Sequence, residues 1–390
     1  METALITPCP LDKLALPDDL DGRDGANRAT GRRQIGADDD PDAISAWLAR
    51  VASSKNTFEN YRKEAERLVL WSIVQLGKPL SSLTHEDLLL YQHFLADPQP
   101  QERWVASERK FPRTDPRWRP FHRPLAMTSQ RQAMVTLNAM FSWLVGAGYL
   151  AGNPLSLSRQ RARRASPRLT RFLERDLWQE VKVYINSLPR ETNRECERYW
   201  RARWLFTLLY LGGLRISEVS GNTMGRFFCR HDAEGHKRWW LEITGKGDKE
   251  RLVPASAEMM VELGRYRSAR GLPVLPAPQE DTPLALPLGR SIKPLTRAAL
   301  HVIVKDIFTG AARMLRLRGD EYATSAAQLD HASAHWLRHS AGSHMADANL
   351  DLRLIRDNLG HSSLATTSLY LHADDDQRHR ETEKRHHIDW

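Results

Sequence analysis

Six side chains in this sequence have the types and the order needed to act together on a phosphodiester. Near the C-terminus, His335-Trp336-Leu337-Arg338-His339-Ser340 is followed by Leu359-Gly360-His361 and then by Tyr370. A guanidinium, imidazoles and a phenol thus fall within thirty-six residues. A second guanidinium stands far upstream, in Gly213-Leu214-Arg215-Ile216-Ser217-Glu218-Val219, and an ammonium lies in Gly245-Lys246-Gly247-Asp248. Charge grows on the nonbridging oxygens as a phosphodiester reacts, and two planar, permanently charged guanidiniums make a suitable clamp. A tyrosine can form a covalent intermediate, and a Lys or His can protonate a departing oxygen. Arg215, Arg338, Lys246, His335, His361 and Tyr370 therefore supply clamp, acid and nucleophile without a metal. Taken singly, each has an ordinary structural reading: a solvated helix arginine, a structural histidine, a core tyrosine, an exposed hairpin lysine. The weight rests on their joint order and spacing.

The elements that must position these groups belong to a chain too long for one typical core. Its 390 residues suit two domains and tails; 41% are hydrophobic and 27% charged, an ordinary globular balance. The formal net charge of +9 favours polyanionic partners, nucleic acid before acidic membrane surfaces. Three widely spaced cysteines, Cys9, Cys196 and Cys229, suggest neither a disulfide framework nor a zinc knuckle. The first twenty residues lack a signal-peptide pattern, and the longest apolar stretch, Leu205 to Leu214, is far short of a bilayer span. These features place the protein in a reducing cytoplasm, away from membranes.

Residues 1–40 carry nine acids and five basic residues with no periodicity, which predicts a flexible or disordered tail. Residues 41–158 read as a helical domain, to which the resemblance given below assigns DNA binding. Ile44, Trp47, Leu48 and Val51 share a helix face, and a second helix runs from Asn56 to a stop at Gly77 and Pro79. Thr84 can cap a third helix, and Ser129 to Val145 forms a fourth. Between these last two, residues 98–126 are rich in proline and in basic residues interleaved with Trp104, Phe111, Trp118 and Phe121. A solvated loop is the plain reading. The sharper one is a loop that tracks a phosphate backbone through Arg109, Lys110, Arg113, Arg117 and Arg119. Residues 159–171 hold six arginines and no acid, and form a basic linker. It either tethers the two domains or lies along a duplex through Arg161, Arg163 and Arg164.

Residues 172–390 form the second domain. Helices are expected at 174–188, 195–212, 256–270, 296–317, 333–347, 351–358 and 363–371, with two short strands, 238–243 and 251–254, joined by a Gly-rich hairpin. The Pro-rich stretch 271–294 reads as loops. The expected class is mainly α, with an α+β catalytic domain: a helical N-terminal domain, then a mostly helical domain with a small antiparallel sheet.

The motifs Gly-Leu-Arg-Ile-Ser-Glu, Gly-Lys-Gly-Asp-Lys-Glu-Arg, His-Trp-Leu-Arg-His-Ser and Leu-Gly-His-Ser, with the downstream Tyr370, resemble the signature of the tyrosine recombinases, the phage integrase family. The offsets agree: 23 residues from Arg338 to His361 and nine from His361 to Tyr370. By motif the resemblance covers roughly 172–372, and residues 41–155 are similar in pattern to the family's core-binding domain. It implies a site-specific recombinase that clamps double-stranded DNA between two domains, with Tyr370 as nucleophile giving a 3′-phosphotyrosine. Arg215 and Arg338 would hold the phosphate oxygens and His361 would hydrogen-bond them. His335 would assist the tyrosine's proton, Lys246 would protonate the 5′ oxygen, and Glu218 would brace the site. Neither metal nor ATP is implied. The implied assembly is a homotetramer on specific DNA sites, with accessory DNA-bending or directionality proteins, in the nucleoid of a cell carrying a mobile element.

Alternatives stay open at this point. Lys249 on the same hairpin competes with Lys246 as the acid. His335 and His339 have the i, i+4 spacing of a zinc site, but Trp336 stands where a metallohydrolase needs Glu. A topoisomerase or telomere resolvase could use the same chemistry, and an integrase-like architectural protein would bind DNA without cutting it. The tail His372 to Trp390 weakly resembles the segment by which family members couple neighbouring subunits.

Overall fold

The computed structural model describes residues 8–14, 16–106, 111–157, 171–245, 249–361 and 367. The chain divides into two compact units, Met1–Arg163 and Arg164–Trp390. The architecture is mainly α with one small antiparallel sheet, the class that the motifs and periodicity imply.

The first unit is a helical bundle: α1 Asp40–Ala49, α2 Lys55–Trp71, α3 His85–Ala96, the short α4 Gln101–Trp104 and α5 Met127–Gly146. Asp39 caps α1, with Pro41 in its first turn, and a reciprocal Thr84–Asp87 capping box opens α3. Inward faces of α1, α2, α3 and α5 meet in a core containing Trp47, Leu68, Leu88, Leu137 and Phe141, with Trp47 stacked on Tyr61 at 4.9 Å between ring centroids.

One expectation for this unit is corrected. Residues 16–39 are not a loose tail but a strap fastened to the bundle. Leu20 and Ala37 are buried, and Asn27 exchanges two hydrogen bonds with the backbone of Gly152, at 2.8 and 3.0 Å. The Arg28 guanidinium lies 4.0 Å from the Tyr149 ring centroid and donates to the Gly22 carbonyl. Asp40, 1% exposed, accepts from the Tyr149 hydroxyl at 2.8 Å and from the Ser81 amide at 3.0 Å. Polar partners, not an apolar stripe, hold this strap, so it reads as disorder by composition. In the basic loop the aromatics turn inward: Trp104 and Phe121 are fully buried and Phe111 and Trp118 nearly so. Arg67 supports the loop, its guanidinium 4.4 Å from the Phe121 centroid and its Nε donating to the Pro120 carbonyl at 3.0 Å.

The second unit comprises α6 Arg175–Asn186, α7 Asn193–Tyr210, α8 Ile216–Gly221, β1 Phe227–His231, β2 Lys237–Thr244, β3 Glu250–Ala255, α9 Ala257–Ala269, α10 Arg297–Arg316, α11 Ala323–His331, α12 Ala334–Asp347 and α13 Leu352–Leu359. The strands pair in the order β1-β2-β3, all antiparallel, with Trp240 opposite both Phe228 and Pro254. Sequence patterning misses β1, α8 and α11, which are short and carry weak periodicity. Helix α7 runs through the core, burying Trp204, Leu205, Phe206, Leu208 and Leu209, and the Trp204 indole donates to the Leu284 carbonyl at 2.6 Å. A fully buried Arg267 orders the Pro-rich stretch, bonding the Pro273 carbonyl at 2.6 Å and Glu280 at 2.7 Å. The helix expected at 363–371 lies outside the described residues apart from Thr367, which is helical and buried.

Candidate active site

The site is built where the turn after α7, the middle of α12 and the end of α13 meet. Gly213 takes a positive φ of 55°, and a Cβ on it would fall 2.5 Å from the Leu359 side chain. That close approach needs glycine, and it presses the α7–α8 turn against α13. Arg215 then occupies the N-cap of α8. Its backbone N–H donates to Glu218 at 2.8 Å and its guanidinium to the same carboxylate at 2.9 Å. Glu218 is 2% exposed, whereas the Arg215 side chain remains 38% exposed, so the acid is sequestered and the guanidinium is presented.

Arg338 is buried in α12 and its guanidinium reaches the carbonyls of Gly213 and Leu359. It therefore ties the Arg215 turn to the end of α13, using two of the five N–H donors of a guanidinium. Helix α13 ends at Gly360, in the left-handed conformation with φ 61°, which turns the chain out into His361. The Gly360 carbonyl accepts from Arg215 Nη2 at 3.5 Å, and His361 Nδ1 lies 3.0 Å from the Thr367 hydroxyl. Were the hydroxyl to donate to Nδ1, Nε2 would carry the ring proton and be a donor. His335 precedes Arg338 by one turn of α12, and its ring meets that of His339 edge-on at 4.1 Å.

The imidazoles share a cationic setting. His361 is lowered to about 4 by burial, then by Arg338, Arg215, Arg251 and His335. His339 is lowered to about 4 by burial, then by His335, Arg338 and His361. His335, though exposed at the surface, is lowered by desolvation of its inner edge and then by Arg338 and Arg215. All three are thus neutral near pH 7. Because His339 and His361 titrate lower folded than unfolded, their stabilisation is full above the unfolded value of about 6.5 and is lost as pH falls toward 4. Acidifying the DNA-free protein from pH 7 to 5 is expected to lower Tm, and His339→Gln to reduce that loss by ~1 kcal/mol after allowing for partial exposure. A thermal melt series on both proteins checks this, and equal slopes would remove His339 from the account.

Arg215, Glu218, Arg338, His335 and His361 are therefore brought together. Lys246 and Tyr370 lie outside the described residues. Their neighbours in sequence touch the cluster: a Cβ on Gly245 would stand 3.3 Å from Glu218 Oε1, and Thr367 contacts His361. Lys249, the competing acid, closes the hairpin base by accepting at its carbonyl from the Gly245 amide, 2.8 Å. Arg251 escaped the sequence reading as a site residue; it grips Glu218 from β3 at 3.0 and 3.2 Å. Its signal was a cation set among the apolar residues of a short strand, two places from Val253. Among the described residues, metal-ligand spacing is met by Asp232, Glu234 and His236 in the β1–β2 turn, not by His335 and His339.

In the first unit, Arg113 is drawn from its expected outward role into a bridge between Asp12 and Glu66, the latter at 2.5 and 2.6 Å. Arg117 pairs with Asp115 at 2.9 Å and covers the Phe111 ring at 4.2 Å. Arg119 donates to the Trp118 carbonyl at 2.9 Å. Arg109, Lys110, Arg161, Arg163 and Arg164 lie outside the described residues.

Two arginines, one buried and one presented, beside neutral imidazoles make a cationic site suited to an anion. The family model of the phage integrases matches residues 184–377. The tyrosine recombinase XerC of Corynebacterium efficiens is 32% identical over 248 residues, 63% of this chain and 67% of that protein. The tyrosine recombinase XerD of Neisseria meningitidis serogroup A is 28% identical over 327 residues, covering 84% and 90% respectively. Among solved structures, a XerH site-specific recombinase in a post-cleavage complex with palindromic difH substrate superposes with a TM-score of 0.58 at 19% identity, covering 87% of this chain and 84% of that one. The Tn1549 transposon integrase in complex with transposon right end DNA gives 0.54 at 17% identity, covering 88% and 99%. The chain belongs to the phage integrase family and is a site-specific recombinase of the tyrosine class. Among the described residues, no helix is long and apolar enough to cross a membrane.

Proposed function

We propose that this recombinase cleaves and rejoins double-stranded DNA at specific sites through a 3′-phosphotyrosine, in the service of a mobile genetic element. The observation that carries the reading is the convergence of Arg215, Arg338, His335 and His361 in one cluster, from segments up to 146 positions apart, beside a buried Glu218. In this mechanism Tyr370 Oη attacks the scissile phosphorus while the bond to the 5′ oxygen breaks. Arg215, Arg338 and the Nε2–H of His361 hold the nonbridging oxygens, where charge grows. His335, neutral in the DNA-free site, takes the phenol proton, and Lys246 gives one to the 5′ oxygen. One phosphoester replaces another, so the energy of the broken bond is retained and rejoining needs no ATP.

Residues 41–158 act as the core-binding domain and 172–390 as the catalytic domain, clamping the duplex with the basic linker 159–171 along the backbone. Four protomers exchange strands in pairs, with accessory DNA-bending or directionality proteins, on the cytoplasmic nucleoid. DNA-bound relatives such as XerH and the Tn1549 integrase support the nucleic-acid partner, and the latter supports the mobile-element setting.

The test uses nicked suicide duplexes tiled across the DNA flanking the coding sequence, with EDTA present. The expected product is a protein–DNA adduct that survives denaturation and leaves a 5′-hydroxyl. Tight binding to every duplex with no adduct on any would support the inert architectural reading instead. An adduct abolished by EDTA would overturn the metal-free mechanism.

A further inference from the structure

The chemistry above gives Arg251 no part, yet Arg251 reaches Glu218, the Asn358 carbonyl and the space beside Gly360. From β3, its Nη1 and Nη2 reach the two oxygens of Glu218 at 3.2 and 3.0 Å, while Arg215 holds the same two oxygens at 2.9 and 2.8 Å. The carboxylate of Glu218 thus accepts four N–H bonds, two from each arginine, in a pocket that leaves it 2% exposed. Arg251 Nε donates to the Asn358 carbonyl at 3.4 Å. Its side chain also fills the space beside Gly360, where a Cβ would fall 2.5 Å from Arg251 Cδ. Gly360 lacks a Cβ and has a positive φ, and both features let this arginine lie under the turn that delivers His361. The same strand begins just after the hairpin that carries Lys246, and the hairpin base at Gly245 abuts Glu218.

We propose that Arg251 is a positioning residue for strand cleavage: it fixes Glu218, through Glu218 the guanidinium of Arg215, and through Gly360 the imidazole of His361. This rests on the phosphate-clamp reading of Arg215 and His361 given above. Two arginines on one acid also leave the cluster with a net positive charge, so the carboxylate braces Arg215 without cancelling its field. A neutral side chain at 251 would leave Glu218 paired with Arg215 alone, and the surplus would fall by one charge to that of Arg338. The groups facing His361 include Arg338, Arg215, Arg251, His335 and His339, with the Thr367 hydroxyl beside Nδ1, so one of three guanidiniums that depress its titration would be lost.

Arg251→Met, Arg251→Lys, Glu218→Gln, the Glu218→Gln/Arg251→Met double variant and Arg215→Met would be compared with wild type in two measurements. The first is the single-turnover rate of adduct formation on the nicked duplexes, with duplex affinity measured alongside. Arg251→Met is expected to slow adduct formation by about 10- to 100-fold with affinity little changed. Arg251→Lys should recover part of the loss, since an ammonium keeps the charge but cannot fork onto both oxygens. The double variant should be slowed by less than the product of the two single effects, because both lesions share the Glu218 carboxylate. The second measurement, an NMR titration of the His361 ring in DNA-free protein, needs no target sequence. The His361 titration should move upward in Arg251→Met and stay near wild type in Arg251→Lys, a pattern that a general loss of stability does not produce. If Arg251→Met does not fold, the Lys variant decides: wild-type cleavage there overturns the two-pronged positioning. A folded Arg251→Met with wild-type cleavage, or with an unmoved His361 titration, overturns the proposal. If Arg215→Met also cleaves normally, the phosphate-clamp reading fails with it; if Arg215→Met is inert, the failure belongs to Arg251 alone.

Discussion

Tyr370→Phe is expected to reduce covalent adduct formation by about 10⁴-fold or more, to below detection, while duplex affinity stays within about twofold. The substitution removes a single oxygen. If that oxygen is the attacking atom, no covalent step remains, because the two arginines and the imidazoles stabilise charge but offer no replacement nucleophile of matched reach. Affinity, in contrast, comes from many contacts between cations and phosphates, and it depends on salt through counterion release. Loss of one hydroxyl leaves that sum nearly untouched. Tyr370 lies outside the described residues, so its choice rests on sequence position: nine residues beyond His361 and three beyond Thr367, whose hydroxyl is 3.0 Å from the His361 ring. Denaturing gels of wild type and variant on the same nicked duplexes read the adduct, and a salt-titrated binding isotherm reads the affinity. An adduct that persists in Tyr370→Phe would move the nucleophile elsewhere and leave the clamp assignment standing.

How much of this site was legible in the sequence follows from the kind of signal each part carries. Helix ends marked by side-chain caps were readable, because Thr84 and the Asp39-Asp40-Pro41 run satisfy terminal N–H groups by local chemistry. The grouping of Arg215, Glu218, Arg338, His335 and His361 was readable from the order and spacing of the motifs that hold them. Arg251 was not, since a cation on a short strand looks the same whether it faces water or a buried carboxylate; only the approach of Gly360 and Glu218, 109 and 33 positions away, distinguishes the two. The strap of residues 16–39 was hidden for a related reason. Its stability comes from pairs such as Asn27 with Gly152 and Asp40 with Tyr149, and long-range polar pairing has no sequence period. Arg113 shows a partner that composition hides. A basic residue in a basic loop suggests a phosphate contact, yet Asp12 and a nearly buried Glu66 claim it.

Arg338→Met is expected to lower both activity and stability, and the pairing of these losses separates it from Arg215→Met. The loss of one preorganised cation from a clamp on developing charge costs about 10²- to 10³-fold in rate, and either substitution should show it. Stability should differ. Arg338 is 2% exposed and satisfies the carbonyls of Gly213 and Leu359, which belong to different elements. Methionine fills much of the volume but donates nothing, so two buried acceptors lose their partners at a cost of about 1–3 kcal/mol each. Relief from burying a guanidinium opposes this cost. Because the carbonyls stay fixed by the packing of Gly213 against Leu359 and cannot turn to water, the net effect should be a loss of ~1–3 kcal/mol. Arg215 is 38% exposed, and Glu218 keeps Arg251 when Arg215 is removed, so Arg215→Met should change stability by less than ~1 kcal/mol. Urea unfolding of the two variants beside wild type measures the difference. Equal stability would mean that the end of α13 is held to the α7–α8 turn by apolar packing alone, and that Arg338 serves the phosphate without also serving the fold.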